Sequence, residues 1–398
     1  MDELKTQIGD DGELIDHSAD DWMGKPKKKR PLRWRRPRRV MTRFLLLLPI
    51  VLITVAITSV MTLIATGYID LNSFEWYRRL CIATMGNVRL AYLNDRYGVM
   101  SGSVFLVDEA SGRTCPLAYN VGLAGNEAWS PDGKQILFDT EQLSPDGAGT
   151  QFHILKINAD GTGLTTLASD DVRLPAWSPD GRSIMYWQGP NVFLMDADGQ
   201  NKHLILRQGQ FAAPSWSFNS QTIILNDENA QKILSMRLDG SESRTLTDGR
   251  QPQSSPDGKH ILFTTGDFNY VTLHICDADG GNAHQLSTLP IPYPPITLWS
   301  PDSQKIAFSA QSDPAQPKSV ALYVLTLDGS LPRALTHGGT PYVSGWSPDS
   351  QEIGYMLEAA DRSRTVNVIR ADGSQGRTLL SSSTQLLGGP VWNPVAGR

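Results

Sequence analysis

The phrase Trp-Ser-Pro-Asp-Gly/Ser recurs along this chain and constrains its fold more than any other feature. It reads AWSPDGKQILF at 128–138, AWSPDGRSIMY at 176–186, SWSFNSQTIIL at 215–225 and QSSPDGKHILF at 253–263. It returns as LWSPDSQKIAF at 298–308, GWSPDSQEIGY at 345–355 and, cut short, VWNPVAGR at 391–398. The anchors are Trp129, Trp177, Trp216, Ser254, Trp299, Trp346 and Trp392, spaced 48, 39, 38, 45, 47 and 46 residues apart. Seven residues after each of the first six stands an isoleucine, and nine after stands a large apolar residue. In the turn, Pro presets φ, Asp binds nearby backbone and Gly accepts a positive φ. Apolar residues two apart then mark one face of a strand. Each phrase is therefore a strand, a tight turn and a second strand.

A second phrase alternates with the first: a strand, Asp/Asn-Gly chemistry, and a strand ending in Leu. Examples are HILKINADGTGLTTLA, LHICDADGGNAHQLS and VNVIRADGSQGRTLL, with turn glycines at 112, 161, 199, 240, 280, 329 and 373. These are hairpin signals. DADG lacks the further carboxylates and distal Glu of a calcium loop, so the turn reading holds. Two hairpins per repeat give a four-stranded sheet, and such sheets bury both faces by packing radially.

The two phrases are out of step. The first hairpin phrase (104–118) follows RLAYLND (89–95) with no Trp anchor, and the last anchor, Trp392, has no second strand behind it. The expectation is an all-β, seven-bladed β-propeller over 87–398, closed by pairing Trp392 with the 89–95 strand. LSPDG at 143–147 lacks the preceding Trp and is expected in a hairpin loop.

The segment before the repeats is different in kind. Residues 1–43 hold 12 of the 36 basic and 8 of the 41 acidic residues, leaving net −9 on the remainder. An acidic start gives way to KPKKKRPLRWRRPRRVMTR, which has little to bury and is expected to be a disordered cytoplasmic arm. Residues 44–68 carry no charge. As a helix they would run roughly 37 Å, enough to cross a hydrocarbon core of about 30 Å. One transmembrane helix is expected here, followed by a linker at 69–86. A cleaved signal peptide ending near ATG (65–67) is the rival reading. The basic cluster belongs in the cytoplasm and beside anionic lipid, which exports everything after Tyr68.

The repeats resemble the WD40-like (PD40) repeats of the TolB-type propeller family, through W-S-P-D-G/S-x-x-I-x-F and the D-A/L-D-G hairpin. Ser254 and the Phe218-Asn219-Ser220 turn depart from that pattern. The resemblance implies a propeller. TolB is a soluble periplasmic protein with an N-terminal α/β domain, and here the membrane segment stands in that domain's place, so a Tol–Pal role is not implied.

The chain contains no G-x-S-x-G nucleophile motif. His153, His203, His260, His274 and His284 map to second, third or fourth strands and His337 to a connection, so none lines the axis as a metal funnel would require. No catalytic residue, metal or cofactor is expected. Cys81, Cys115 and Cys276 permit a Cys81–Cys115 disulfide or three independent thiols. The proline-rich LSTLPIPYPPITLW (286–299) suits partner recognition through Ile291, Pro292 and Tyr293, or packs back on a neighbouring blade. An acidic exported part argues against nucleic acid. The expected function is a membrane-anchored interaction or scaffold module of the cell envelope, with an envelope protein or surface polymer as partner. A ligand- or glycan-sensing ectodomain, and a propeller hydrolase or lyase, are the alternatives.

Overall fold

The computed structural model describes residues 75–395, apart from 86–87, 96–102, 109–110, 119–127, 144–148, 208–210, 228, 268, 314, 317–318 and 383–385. One helix, α1 (Glu75–Ala83), precedes an array of antiparallel sheets.

Six four-stranded sheets follow one another in chain order. Blade 1 is β4–β7 (Ala128–Trp129, Gln135–Leu143, Thr150–Asn158, Thr165–Ser169). Blade 2 is β8–β11 (Val172–Trp177, Ser183–Gln188, Asn191–Asp196, His203–Leu206). Blade 3 is β12–β15 (Phe211–Trp216, Thr222–Asp227, Lys232–Arg237, Arg244–Asp248). Blade 4 is β16–β19 (Arg250–Ser254, His260–Gly266, Tyr270–Asp277, His284–Pro292). Blade 5 is β20–β23 (Thr297–Trp299, Lys305–Gln311, Val320–Thr326, Arg333–Ala334) and blade 6 is β24–β27 (Thr340–Trp346, Glu352–Glu358, Arg364–Arg370, Arg377–Ser382).

The remaining sheet is composite. It joins β1–β3 (Val88–Asp95, Ser103–Asp108, Thr114–Ala118) to two short C-terminal strands, β28 (Leu386–Leu387) and β29 (Val391–Trp392). Trp392 lies opposite Leu90, and Leu387 opposite Asn94. The expectation of a seven-bladed propeller behind a transmembrane helix is therefore corrected. Six four-stranded blades are completed by one five-stranded closing sheet, because the C-terminal segment breaks at 388–390 and pairs β1 twice. Residues 44–68 lie outside the described residues, and among those described no helix is long and apolar enough to cross a membrane.

The repeat explains the core. The six isoleucines, Ile136, Ile184, Ile223, Ile261, Ile306 and Ile353, are buried, as are Phe138, Tyr186, Leu225, Phe263, Phe308 and Tyr355 two residues on. The anchors Trp129, Trp177, Trp216, Trp346 and Trp392 are buried too, and Trp299 is partly so. Each of four Trp indoles reaches across to the preceding sheet's inner strand. Trp129 Nε1 donates to Val391 O at 3.1 Å, Trp216 to Ala176 O at 3.2 Å, Trp299 to Gln253 O at 3.4 Å and Trp346 to Leu298 O at 3.1 Å. Trp392 instead lies over Gly354 of blade 6, where a Cβ would meet its ring at 2.5 Å.

The turns are built identically. Ser130 Oγ donates to Asp132 Oδ1 at 2.7 Å, and the same carboxylate oxygen accepts Lys134 N at 3.1 Å. Asn219 reproduces this geometry with Ser217 at 2.6 Å and Gln221 N at 2.8 Å, so the departing turn in blade 3 keeps its shape. The Ser130 hydroxyl leads the interactions that hold the Asp132 carboxyl below the usual carboxylate range.

Helix α1 is pinned to the first sheets. Cys81 forms a disulfide with Cys115 of β3. Arg78 Nε donates to Gly161 O of blade 1 at 3.1 Å, and Arg113 NH1 donates to Thr84 O at 3.0 Å.

Candidate functional site

In each sheet the inner strand starts at the end where the second strand finishes, the third begins and the fourth leads to the next blade. That end carries the longest connections. The opposite end is the ring of Ser-Asp turns, whose polar groups are occupied with one another.

The 286–299 segment belongs to the connection end. β19 pairs with β18 through Val271 opposite Ile291 and Tyr270 opposite Pro292. Ile291 is 0% exposed and packs with Leu262, Val271, Ile306 and Phe308. Tyr293 packs partly against the same core, and Pro292 is half-buried. Of the three residues expected to meet a partner, Ile291 is thus spent on the blade's interior. The strand pairing carries it inward, because it alternates with solvent-facing neighbours along the last strand. The segment instead exposes Pro294 and Ile296, the latter by 37%.

Other apolar side chains emerge at the same end. Tyr270 opens the third strand of blade 4 and is exposed. Leu174 and Tyr342 stand on the inner strands of blades 2 and 6 and are exposed by 51% and 37%. Leu174 sits at a bulge with φ of 52°, and its N–H donates to Asp139 Oδ2 of blade 1 at 2.9 Å. This bond turns the backbone inward and the leucine outward. Sequence reasoning missed Leu174, Tyr270 and Tyr342. The available signal was their place on strands whose other apolar residues already filled the core face.

A cleft of about 690 Å³ opens between blades 5 and 6 at this end. Gln316 and Ser319 line it from blade 5, Glu358 and Ala359 from blade 6, and Gly338, Gly339 and Thr340 from the connection. Gly339 has a φ of 71°, and a Cβ there would meet Glu358 O at 2.9 Å. Only glycine lets this connection run so close to the blade. Glu358 is held by Arg364, whose NH2 stands 2.6 Å from its Oε2. The cleft thus presents amide, hydroxyl and main-chain groups beside a neutralised carboxylate, a lining suited to hydrogen-bonded binding.

The histidines among the described residues lie away from the inner strands, in β6, β11, β17, β18 and β19, with His337 in the connection before β24. His274 is half-buried, with Nε2 2.8 Å from Thr265 Oγ1 and its ring stacked on Phe263. Among the described residues no three His, Cys, Asp or Glu side chains gather as metal ligands.

A family model described as the TolB beta propeller domain (PD40) matches residues 85–301. The chain belongs to the TolB-like propeller family. The chain is also similar to Uncharacterized protein Atu1656 of Agrobacterium fabrum (strain C58), with 29% identity over 158 residues, 33% of this chain and 52% of that one. The chain thus spans about half the length of this curated relative. Among solved structures, the β-propeller domain of the Trilobed protease from Pyrococcus furiosus aligns with TM-score 0.54 at 16% identity, covering 75% of this chain and 95% of that one. That propeller is described as having an open velcro topology, whereas here both chain ends knit one sheet. TolB from Acinetobacter baumannii aligns with TM-score 0.49 at 18% identity, covering 74% and 79%. At such identities the likeness concerns the fold alone, and propellers host many activities.

Proposed function

We propose that this TolB-like propeller is an extracytoplasmic interaction module of the cell envelope and binds its partner at the connection end. The observation carrying this reading is the gathering there of exposed Leu174, Tyr270, Ile296 and Tyr342 with the cleft between blades 5 and 6. Aromatic and aliphatic groups beside polar clefts are the usual makings of a protein-binding face. The Cys81–Cys115 disulfide supports an oxidising compartment. The uncharged run 44–68 and the basic cluster before it support a contact with lipid that keeps the propeller near a membrane. The partner is a protein or polymer of the envelope. A glycan is the second reading, favoured by the amide and hydroxyl lining of the cleft.

Cross-linking of the full-length protein in its native membrane tests this, with Ile296→Asp/Tyr342→Asp as the comparison. The expected result is a near-stoichiometric protein joined to the wild-type connection end and lost in the variant. Cross-links that join the chain only to itself, or a partner retained by the variant, would overturn the reading. A melting shift with one sugar from a glycan panel would favour the second.

A further inference from the structure

The sheets are clamped to one another by three recurring devices. One is the Trp indole bonded to the preceding inner strand. Another joins turn to turn: Asp180 N donates to Ser220 Oγ at 3.1 Å, Asp257 N to Ser303 Oγ at 3.0 Å and Asp302 N to Ser350 Oγ at 3.0 Å. The third uses a polar side chain three residues after the repeat isoleucine, reaching the next blade's inner strand. Asp139 accepts from Leu174 N in this way, and Ser309 Oγ donates to Pro341 O at 2.8 Å.

At the junction of blades 3 and 4 none of the three is made. Ser254 stands in the Trp position, so there is no indole. Gly258 stands where Ser220, Ser303 and Ser350 supply their hydroxyls. Half-exposed Phe218 covers Gly258 through van der Waals contact instead. Asn226 occupies the third position and is only 1% exposed, yet both polar atoms of its amide lack a hydrogen-bond partner. It alternates along β13 with Ile224, which packs with Ile261 and Phe263 of blade 4, so it faces this junction. On the inner strand of blade 4, Gln251 has a φ of 50° at the repeat position where Leu174 makes its bond, and its Oε1 is buried without a partner. Ser215, opposite Ile224 in the register of blade 3, also has its Oγ buried without a partner. Arg250 is buried and engaged at the same end.

Buried polar groups without partners favour any state that lets water reach them. Other junctions that lack these devices keep a hydrogen bond between their sheets, as where Ser344 Oγ of blade 6 donates to Pro390 O, beside β29 of the closing sheet, at 2.9 Å. Blades 1 and 2 lack the turn bond, since Gly181 has no hydroxyl, and the indole bond, since Trp177 Nε1 is buried without a partner, but they keep the Asp139 clamp and the bond from Lys156 Nζ to Ala197 O at 2.6 Å.

We propose that the ring has a built-in seam between blades 3 and 4, which parts locally while the other junctions stay packed. Such a sub-global opening would let the connection end adjust to a bound partner. The seam carries its own reporter. Cys276 is the chain's free cysteine, lies in β18 and is buried among Ile224, Ile233, Ile261 and Phe263. Burial, followed by Asp277 and Asp279, pushes its thiol up to about 11, so the closed seam keeps it protonated as well as covered. The inference concerns the fold's mechanics and stands whether or not the proposed partner is correct.

The test is thiol labelling of the oxidised, full-length protein at low urea concentrations. The comparison thiol is introduced by Ile369→Cys in a Cys276→Ala background. Ile369 stands opposite Ile353 as Cys276 stands opposite Ile261, but between blades 5 and 6, where all three clamps are present. Each rate is divided by that of the same thiol in unfolding urea. Cys276 should label at least tenfold faster than the comparison thiol, with a rate nearly independent of urea below the unfolding transition. Ser254→Trp, which restores the clamp, should slow it. Should that variant fail to fold, the comparison between the two thiols stands alone. Equal normalised rates, or labelling of Cys276 that rises with urea as steeply as global unfolding, would overturn the seam.

Discussion

Two junctions in this ring are built from the same repeat and differ in how they are held. Between blades 5 and 6, Trp346 bonds Leu298 O, Asp302 N bonds Ser350 Oγ, Lys305 Nζ donates to Ser350 O at 3.3 Å and Ser309 bonds Pro341 O. Nine buried apolar side chains pack there, including Leu322, Val343, Ile353 and Tyr355. Between blades 3 and 4, five do, and three linking positions hold Ser254, Gly258 and an unpartnered Asn226. The central strand pair of blades 3 and 4 runs without a register shift, as it does in blades 5 and 6. Local strand structure and cohesion between sheets are therefore separate properties. The repeat consensus matters mainly for the second.

The largest expected effect breaks the strong junction. Trp346→Ala should cost about 3–5 kcal/mol through lost burial and a cavity. Ser254→Ala should cost less than about 1 kcal/mol, because no clamp is lost. Urea denaturation of both variants checks the contrast; similar losses would erase the distinction between junctions.

The disulfide comes next. Cys81 and Cys115 are 34 residues apart, and the chain-entropy relation gives about 3–4 kcal/mol for a loop of that size. Cys81→Ala/Cys115→Ala should lower stability by that order and leave the normalised labelling of Cys276 unchanged, since α1 is pinned to the closing sheet and blade 1. Faster labelling would mean that the staple also holds the seam.

A smaller pair sharpens the comparison. Ser309→Ala should cost about 1 kcal/mol, because Pro341 O loses its donor. Asn226→Leu, at the same repeat position, should be neutral or stabilising by up to about 1 kcal/mol, because it removes a buried amide without partners. Matching losses at both positions would show that Asn226 is satisfied in solution.

The smallest effect is on pH. Burial, followed by the nearby His284, holds the His274 pKa below its ordinary value. Below about pH 6.5 the unfolded chain takes up the proton first, so stability falls as pH drops through that region and is unaffected above it. Melting temperatures from pH 7.5 to 5 should show a decline that His274→Gln flattens. The turn carboxylates are a separate matter. Asp132, lowered chiefly by the Ser130 hydroxyl, withdraws its contribution only as pH falls below about 4.

Much of the fold was legible in advance. The isoleucine and the large apolar residue two positions later are inward-facing members of one strand, and alternation assigns them without reference to any other part of the chain. The positive-φ hairpin glycines, with φ from 67° to 89° at 112, 161, 199, 240, 280, 329 and 373, follow from turn chemistry alone. Pairing of Trp392 with the first strand followed from the offset between two repeating phrases. The second C-terminal strand, β28, did not, because Leu386-Leu387 has no repeat signature. The candidate site was poorly legible. The proline-rich sequence left Ile291 open between presentation to a partner and packing back on a blade, and its register opposite Val271 turns it into the core.

By itself, then, the sequence determined the strands, their turns, the inward face of each and the pairing of the chain's ends. Those depend on residues a few positions apart, or on the count of repeats. Only the tertiary structure decided which apolar side chains stay outside, that Cys81 meets Cys115, and where the ring is weakest. Each of these depends on two residues brought together from distant parts of the chain. Asn226 finds no partner, whereas Asp139 at the same repeat position accepts from Leu174 N of the next blade. A hydrogen bond between sheets requires both groups in place, and neither residue alone announces whether the other will be there.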